Sequence, residues 1–489
     1  MINAIPLGDS PYATPYDVVG VEECENFYIE KAISTNSKVP YYYISRGGLK
    51  SFASKSTNST SRGMYRTANE RLFCVFGNQV IEILANGQRT TRGSLTTYTG
   101  TVSISDNSYQ LMIVDGAYGY ILDFATNIFT QIDQETFQNG ATHVTCIDTY
   151  FIVNRPNSMQ YNWSSPNNGL LWDALDFATK QGIPDDIVAL KEAQNQLWVF
   201  GSYSTEVHYN TGDTETQVWQ RYEGAVIDVG CSSPHSVQTI ENHIYWLGND
   251  KTGNAAVWSN DGLIPIKIST RGIEQLIGNL SLSNAIGYVY SQYGHVFYVL
   301  TFPGSDYTLV WDITTRTWHR RTSRNRITDN NDRWRAQYSA YAFGKNLFCD
   351  NNSDMIYESD MEYYVDDLPE GDTVNIYRIK STPIYQSNQK KIRWNNLQVI
   401  FEQGTGLEIN GPDGNGRNPM VLLETSDDSG RVFNLNRRFA EIGRTGITRF
   451  RSRFLKLGHS RNRAYRITVS DPIKVVLAGI IADMEELRN

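Results

Sequence analysis

The stretch WDITTRTW, residues 311–318, has a counterpart in LDFATNIF, residues 122–129. Both follow one template: a large apolar residue, Asp, two variable residues, Thr, two variable residues and an aromatic. The matched pairs are Asp123 with Asp312, Thr126 with Thr315, and Phe129 with Trp318. A template repeated at a distance points to one structural unit used more than once. In such a unit the Asp ends a strand and its carboxylate accepts N–H groups of the turn that follows. The Thr steadies the same turn, and the aromatic opens the next strand. On this reading all four polar residues are structural and neither Asp is a catalytic acid.

Working outward, seven stretches between residues 69 and 360 share an outline of turn, short apolar strand, turn and second strand. One strand anchor from each is Leu72, Leu111, Phe151, Leu197, Ile244, Val296 and Leu347, with steps of 39, 40, 46, 47, 52 and 51 residues. A drifting period of this size matches four-stranded propeller blades, and radial repetition shields sheet edges. The expected fold is therefore all-β: a β-propeller over 69–360, of seven blades, or six if the first or the weak third unit belongs elsewhere. The hairpin template resembles a kelch repeat. However, the Gly-Gly pair of kelch blades occurs here only as Gly47 and Gly48, before the first unit.

Composition agrees. The 489 residues include 30 Tyr, 19 Phe and 10 Trp, which suit half-buried pleated surfaces. Helical periodicity is scarce; GLLWDALDFATKQG, residues 169–182, reads as a short helix. The net charge of −8 does not fit a basic nucleic-acid binder. No apolar run approaches the roughly 18 residues of a membrane helix, so no stable membrane insertion is expected. The opening MINAIPLGDSPYATP does not read as a Sec signal. Five scattered cysteines without a CxxC read as free thiols, and seven histidines without a ligand spacing offer no metal or cofactor site.

Residues 1–68 lack the repeat and read as an N-terminal segment whose strands complete the propeller or a platform beside it. DDLPEGD, 366–372, reads as a linker. Beyond it, 361–489 alternates as the strands of a C-terminal β-sandwich or barrel. Within this unit SDDSGRVF, 426–433, fits an Asp-box hairpin turn.

Ten arginines, one lysine and a single acid, Glu441, lie between Arg431 and Arg466. In TRFRSRF, Arg449, Arg451 and Arg453 alternate with Phe450, Ser452 and Phe454, so a strand places the arginines on one face and the rings on the other. Three readings stand: a solvated face, a subunit or partner interface, and contact with DNA phosphates. The interface is preferred, because arginine's planar fork pairs with carboxylates and the rest of the chain is acidic. Arg444, Arg461, Arg463 and Arg466 extend the same candidate surface. A second basic cluster, HRRTSRNR at 319–326, with His319, Arg320 and Arg321, reads as a loop on a propeller rim that could dock an acidic partner.

The order of an NFYIE…YYYISRGGL segment, a propeller-like middle, SDDSG and RFLKLGHSRNRAYRITVSDPIKVVLAGIIADME resembles the tail hub, or nozzle, proteins of short-tailed bacteriophages, also called packaged-DNA stabilization proteins. The match is most specific at Arg453–Gly458, Arg461–Arg466 and Ser470–Gly479. The resemblance implies a structural, non-enzymatic virion protein made in the bacterial host cytoplasm. It implies a homo-hexameric ring below the portal and its adaptor. That ring would continue the channel for packaged double-stranded DNA, hold a needle or plug, and carry tailspikes or fibres. The alternative is a propeller-type glycoside hydrolase or carbohydrate-binding protein, with Asp185, Asp186, Asp228 and Glu241 as candidate carboxylates. A kelch-like adaptor is the third reading.

Overall fold

The computed structural model describes residues 2–8, 22–31, 41–135, 137, 140–213, 218–249, 253–388, 390–411, 414–433, 437–447 and 449–487. Seven consecutive four-stranded antiparallel units make the propeller. Blades 1 to 6 occupy 61–94, 103–131, 144–179, 187–227, 238–267 and 286–324. Blade 7 takes three strands from 336–360 and its fourth, Gly48–Ala53, from near the N-terminus. The first strand of each blade lies beside the first strand of the next. Ala336–Ala342 lies against Ser61–Arg66, which closes the circle.

All seven sequence anchors fall in the second strand of a blade. The central residues of these strands are apolar because both of their faces are covered. In Leu72–Phe76, Leu72, Cys74 and Phe76 join the core shared with blade 7, while Phe73 and Val75 join the core shared with blade 2. Period-2 alternation thus feeds two seams from one strand. Each of the seven seams has its own apolar cluster.

An eighth cluster fills a β-sandwich built from both ends of the chain. Its first sheet runs Phe27–Lys31, Tyr41–Ser45, Val476–Glu486, Ile392–Phe401, Ser452–Ser460, with Ile2–Ile5 also on Val476–Glu486. Its second sheet runs Cys24–Glu25, Arg378–Ser381, Asn462–Val469, Met420–Ser426, Arg438–Glu441. Cys24–Glu25 also pairs, in parallel, with the last strand of blade 6, so sandwich and propeller share a continuous sheet.

Two local expectations are corrected. Residues 169–182 are not a helix: Asn168–Thr179 is the outer strand of blade 3, paired with Gln160–Ser165 through register shifts. Blade completion outweighs the helix-forming Leu and Ala residues. Among the described residues the one α-helix, Arg271–Gly278, joins blades 5 and 6; Thr270 caps it by accepting the Ile273 N–H at 3.4 Å. Residues 366–372 are not a free linker, because Val365–Asp367 pairs with Thr373–Asn375.

The Asp366 carboxylate in that hairpin binds both terminal nitrogens of Arg46, at 2.9 and 2.6 Å. Arg46 also donates to Asn26 at 2.8 Å and to the Thr322 carbonyl at 3.1 Å. This buried knot ties the N-terminal segment to blade 6 and the hairpin. Beside it, Gly47 and Gly48 let the chain pass close to the backbone of 360–365. The Gly48 N–H donates to the Tyr363 carbonyl at 2.6 Å, and a Cβ at Gly48 would overlap the carbonyl oxygens of Tyr363 and Val365. Gly48→Ala is expected to cost about 2 kcal/mol by overpacking. Thermal unfolding and limited proteolysis of the closure strand are the checks; an unchanged melting midpoint would show that the backbone yields.

Candidate assembly surface

The strand Ser452–Ser460 ends one sheet of the sandwich and pairs, among the described residues, only with Ile392–Phe401. Along its approach the expected alternation appears. Arg449, Arg451 and Arg453 are exposed, Ser452 and Phe454 are buried and Phe450 is half-buried. Arg453 Nε makes a 3.4 Å contact to Gln398. Arg444 is exposed on the loop that packs against Phe450 through Gly443.

The same edge presents large apolar side chains. Leu455 is 61% exposed, and Phe439, on the neighbouring strand Arg438–Glu441, is 59% exposed. Arg438 donates to the Leu455 carbonyl at 2.6 Å and the Lys456 carbonyl at 3.2 Å, which holds the two strands together. Exposed arginines interleaved with Leu and Phe on a sheet edge are the composition of a protein interface.

The other arginines of the segment separate from this group. Arg463 is buried; it forms a two-pronged pair with Asp427 at 2.6 and 2.7 Å, donates to the Leu457 carbonyl and lies over Trp394. Arg466 is half-buried, bonded to Glu424 at 2.8 Å and stacked on Phe433. Both serve the sandwich itself. Arg461 is exposed in the turn beside them. The Asp-box closes as expected: Ser426 Oγ donates to Asp428, and the N–H groups of Gly430 and Val432 donate to Ser426 Oγ and Asp428.

The stretch 319–326 is not wholly a rim loop, since Thr317–Arg324 is the fourth strand of blade 6. His319 is buried with neither ring nitrogen bonded in the described structure, and burial, with Arg321 and His295 nearby, holds its pKa well below the usual histidine value. Arg321 is buried between Tyr290, Phe297 and Trp334 and donates to the Tyr290 hydroxyl. Arg320 lies over Tyr307 and 3.8 Å from Glu25, whose carboxyl burial pushes up to about 7 although Arg320 opposes it. These side chains seal the junction between propeller and sandwich, and no docking patch forms from them.

Both copies of the opening template are turns. Asp123 accepts from the Thr126 N–H and hydroxyl, each at 2.9 Å, and from the Ala125 N–H, and these bonds hold its carboxyl below the usual range. Asp312 accepts from the N–H groups of Thr314 and Thr315 at 3.0 and 3.2 Å. Its second oxygen meets His295 Nδ1 at 2.7 Å, and His295 Nε2 meets Glu30 at 2.7 Å. Burial alone would lower the His295 pKa, but the two carboxylates outweigh it and raise it. A raised folded pKa stabilises fully below the ordinary histidine value of about 6.5 and less as pH rises through the folded value. The melting midpoint is therefore expected to fall on going from pH 6 to pH 9, and to fall less in Asp312→Asn. Parallel profiles for the two proteins would exclude this linkage.

The carboxylates of the hydrolase reading do not form a pair of free groups. Asp185 is engaged by Lys180, the Ser204 hydroxyl and the N–H groups of Tyr203 and Ser204. Asp186, Asp228 and Glu241 are exposed, and Glu241 sits in a turn. A grouping that sequence reading missed lies on the propeller axis, where His143, Lys191 and His235 meet from blades 3 to 5. No local motif marks them, because each stands alone in its own blade.

The phage-stabilisation family model described as bacteriophage P22 Gp10, beta-propeller, matches residues 28–364. No curated protein matches the chain. Among solved structures, the chain is similar to the N-terminal domain of Nup159, at 11% identity over 69% of this chain and 98% of that one, with TM-score 0.39. It is similar to the computationally designed Ika8 protein, at 11% over 73% and 98%, with TM-score 0.37. It is also similar to a chain of the Mitotic Checkpoint Complex, at 10% over 68% and 98%, with TM-score 0.39.

Proposed function

This chain belongs to the phage-stabilisation family described as bacteriophage P22 Gp10, beta-propeller, and from that premise we propose that it is the ring-forming hub, or nozzle, of a short-tailed phage. The family is one of structural phage proteins that stabilise packaged DNA. In the proposed role, subunits form a homo-hexamer below the portal and its adaptor in the virion tail. The ring continues the DNA channel, contributes to DNA retention, seats a needle or plug and carries tailspikes or fibres.

The observation that carries this reading beyond family membership is the sandwich edge. Four exposed arginines, Leu455 and Phe439 share it. Arginine and exposed aromatic side chains together favour contact with another chain through side chains. A neighbouring copy with a net charge of −8 offers carboxylates for the guanidinium groups. The DNA path is assigned to the axis of the ring. The axial cavity inside one propeller is about 600 Å³, the size of a small-molecule site.

Native mass spectrometry of the 55.5 kDa chain, alone and mixed with a portal–adaptor complex, tests the proposal. A hexamer in either condition supports it. A monomer in both defeats it.

A further inference from the structure

The axis of the propeller carries the opposite charge to the chain as a whole. The wall of the central cavity includes Arg66, His143, Lys191 and His235, and no Asp or Glu lines it. An adjoining space of about 630 Å³ at one mouth shares His235 and Tyr338 and adds Arg62, Arg333 and a single carboxylate, Asp115. Some of these cations are already engaged. Arg62 donates to the carbonyls of Gly77, Thr97, Thr99 and Gly100, and Arg66 pairs with Glu70.

His143, Lys191 and His235 remain. The rings of His143 and His235 lie 6.3 Å apart, centre to centre. His143 is 7% exposed, and its Nδ1 is buried without a hydrogen-bond partner among the described residues. His235 is presented by the short turn Pro234–Ser236, whose proline restricts its backbone. Three groups that can carry positive charge thus converge on one cavity whose wall has no carboxylate, although Glu192, next to Lys191 in the chain, acts on Lys191 from outside that wall. Such a cluster disfavours a metal cation, and among the described residues no group of three metal-ligating side chains occurs.

We propose that the propeller axis is a binding site for a small polyvalent oxyanion, of the phosphate or tricarboxylate class. The anion supplies a counter-charge to Lys191 and to the histidines as they take up protons, and it accepts the hydrogen bond that His143 Nδ1 lacks. The site stands independently of the tail-hub reading, since it lies within a single subunit.

Proton uptake follows from the same geometry. Burial lowers the pKa of both histidines, that of His235 to about 4, and for His143 the nearness of His235 and Lys191 lowers it further. The other ionisable groups of this wall are Arg66, Tyr65, Tyr338 and Tyr341, with Asp115, Arg62 and Arg333 at the mouth; burial also lowers the Lys191 pKa, against which Glu192 acts. An anion among them favours the protonated histidines, so binding tightens as pH falls.

The test is calorimetric titration of the full chain with citrate and with inorganic phosphate, at constant ionic strength, at pH 7.5 and 5.5. Binding at one site per chain is expected, at least tenfold tighter at pH 5.5 and at least tenfold weaker in Lys191→Met and in His235→Gln. Melting midpoints without anion establish that both variants fold, and His235, only half-buried, is the variant that tolerates change. Absence of binding by the wild type at pH 5.5 overturns the proposal. So does equal affinity in both variants, or a loss of binding in the triple change of Arg449, Arg451 and Arg453 to Ser, which would move the anion to the sandwich edge.

Discussion

Asp366→Ala is expected to cost the fold about 3–5 kcal/mol, because it strands a buried guanidinium. Arg46 and Asp366 are 3% and 1% exposed and meet at 2.6 Å. The Asp366 carboxylate also accepts the Leu49 N–H at 3.1 Å, in the strand that closes blade 7. One substitution therefore frees an unpaired charge and an unpaired donor at the place where the ring is sealed. Urea unfolding reads the loss as a shift in midpoint. Asp366→Leu combined with Arg46→Met is expected to recover most of it, since an apolar pair of similar volume avoids the desolvation of two charges. A loss under about 1 kcal/mol for Asp366→Ala would mean that Asn26 and the Thr322 carbonyl suffice for Arg46.

Replacing Arg449, Arg451 and Arg453 together by Ser is expected to leave the monomer intact and to weaken ring or tail assembly at least a hundredfold, about 2.7 kcal/mol. The three side chains are exposed, and Arg453 approaches Gln398 at 3.4 Å within the chain. Surface substitutions of this kind change folding stability by about 0.5 kcal/mol or less. At an interface, by contrast, arginine is among the residues whose loss costs most. Native mass spectrometry with the portal–adaptor complex gives the assembly state. Particles carrying the variant are then scored for retained DNA. Normal assembly with leaking DNA would transfer these arginines from a subunit contact to the DNA phosphates.

Particular elements show how far the sequence could be read. The anchors Leu72 to Leu347 were legible because a blade's second strand is covered on both sides and so stays apolar in any blade. The Asp–x–x–Thr turns were legible because their hydrogen bonds close within a few residues of one another. HRRTSRNR was misread because its charges looked solvated. Tyr290, Phe297 and Trp334, from blade 6 and the approach to blade 7, cover Arg321, and no local pattern announces them. Residues 169–182 were misread because helix propensity is a local preference, while the pairing with Gln160–Ser165 depends on a partner strand.

The arginine-rich segment divides in the same way. Alternation alone put Arg449, Arg451 and Arg453 opposite the buried ring of Phe454. That Arg463 turns inward depends on Asp427, far along the chain on another strand's end. The sequence by itself determined the all-β class, the repeated blade and its turn chemistry, since these rest on period-2 patterning and short-range hydrogen bonds. Only the tertiary structure decided where the circle closes, that Gly48–Ala53 completes blade 7, that both chain ends share one sandwich, and that three lone basic residues meet on the axis. Most of those outcomes depend on pairing between residues hundreds of positions apart, and all of them on the packing of whole faces, which no local stretch encodes.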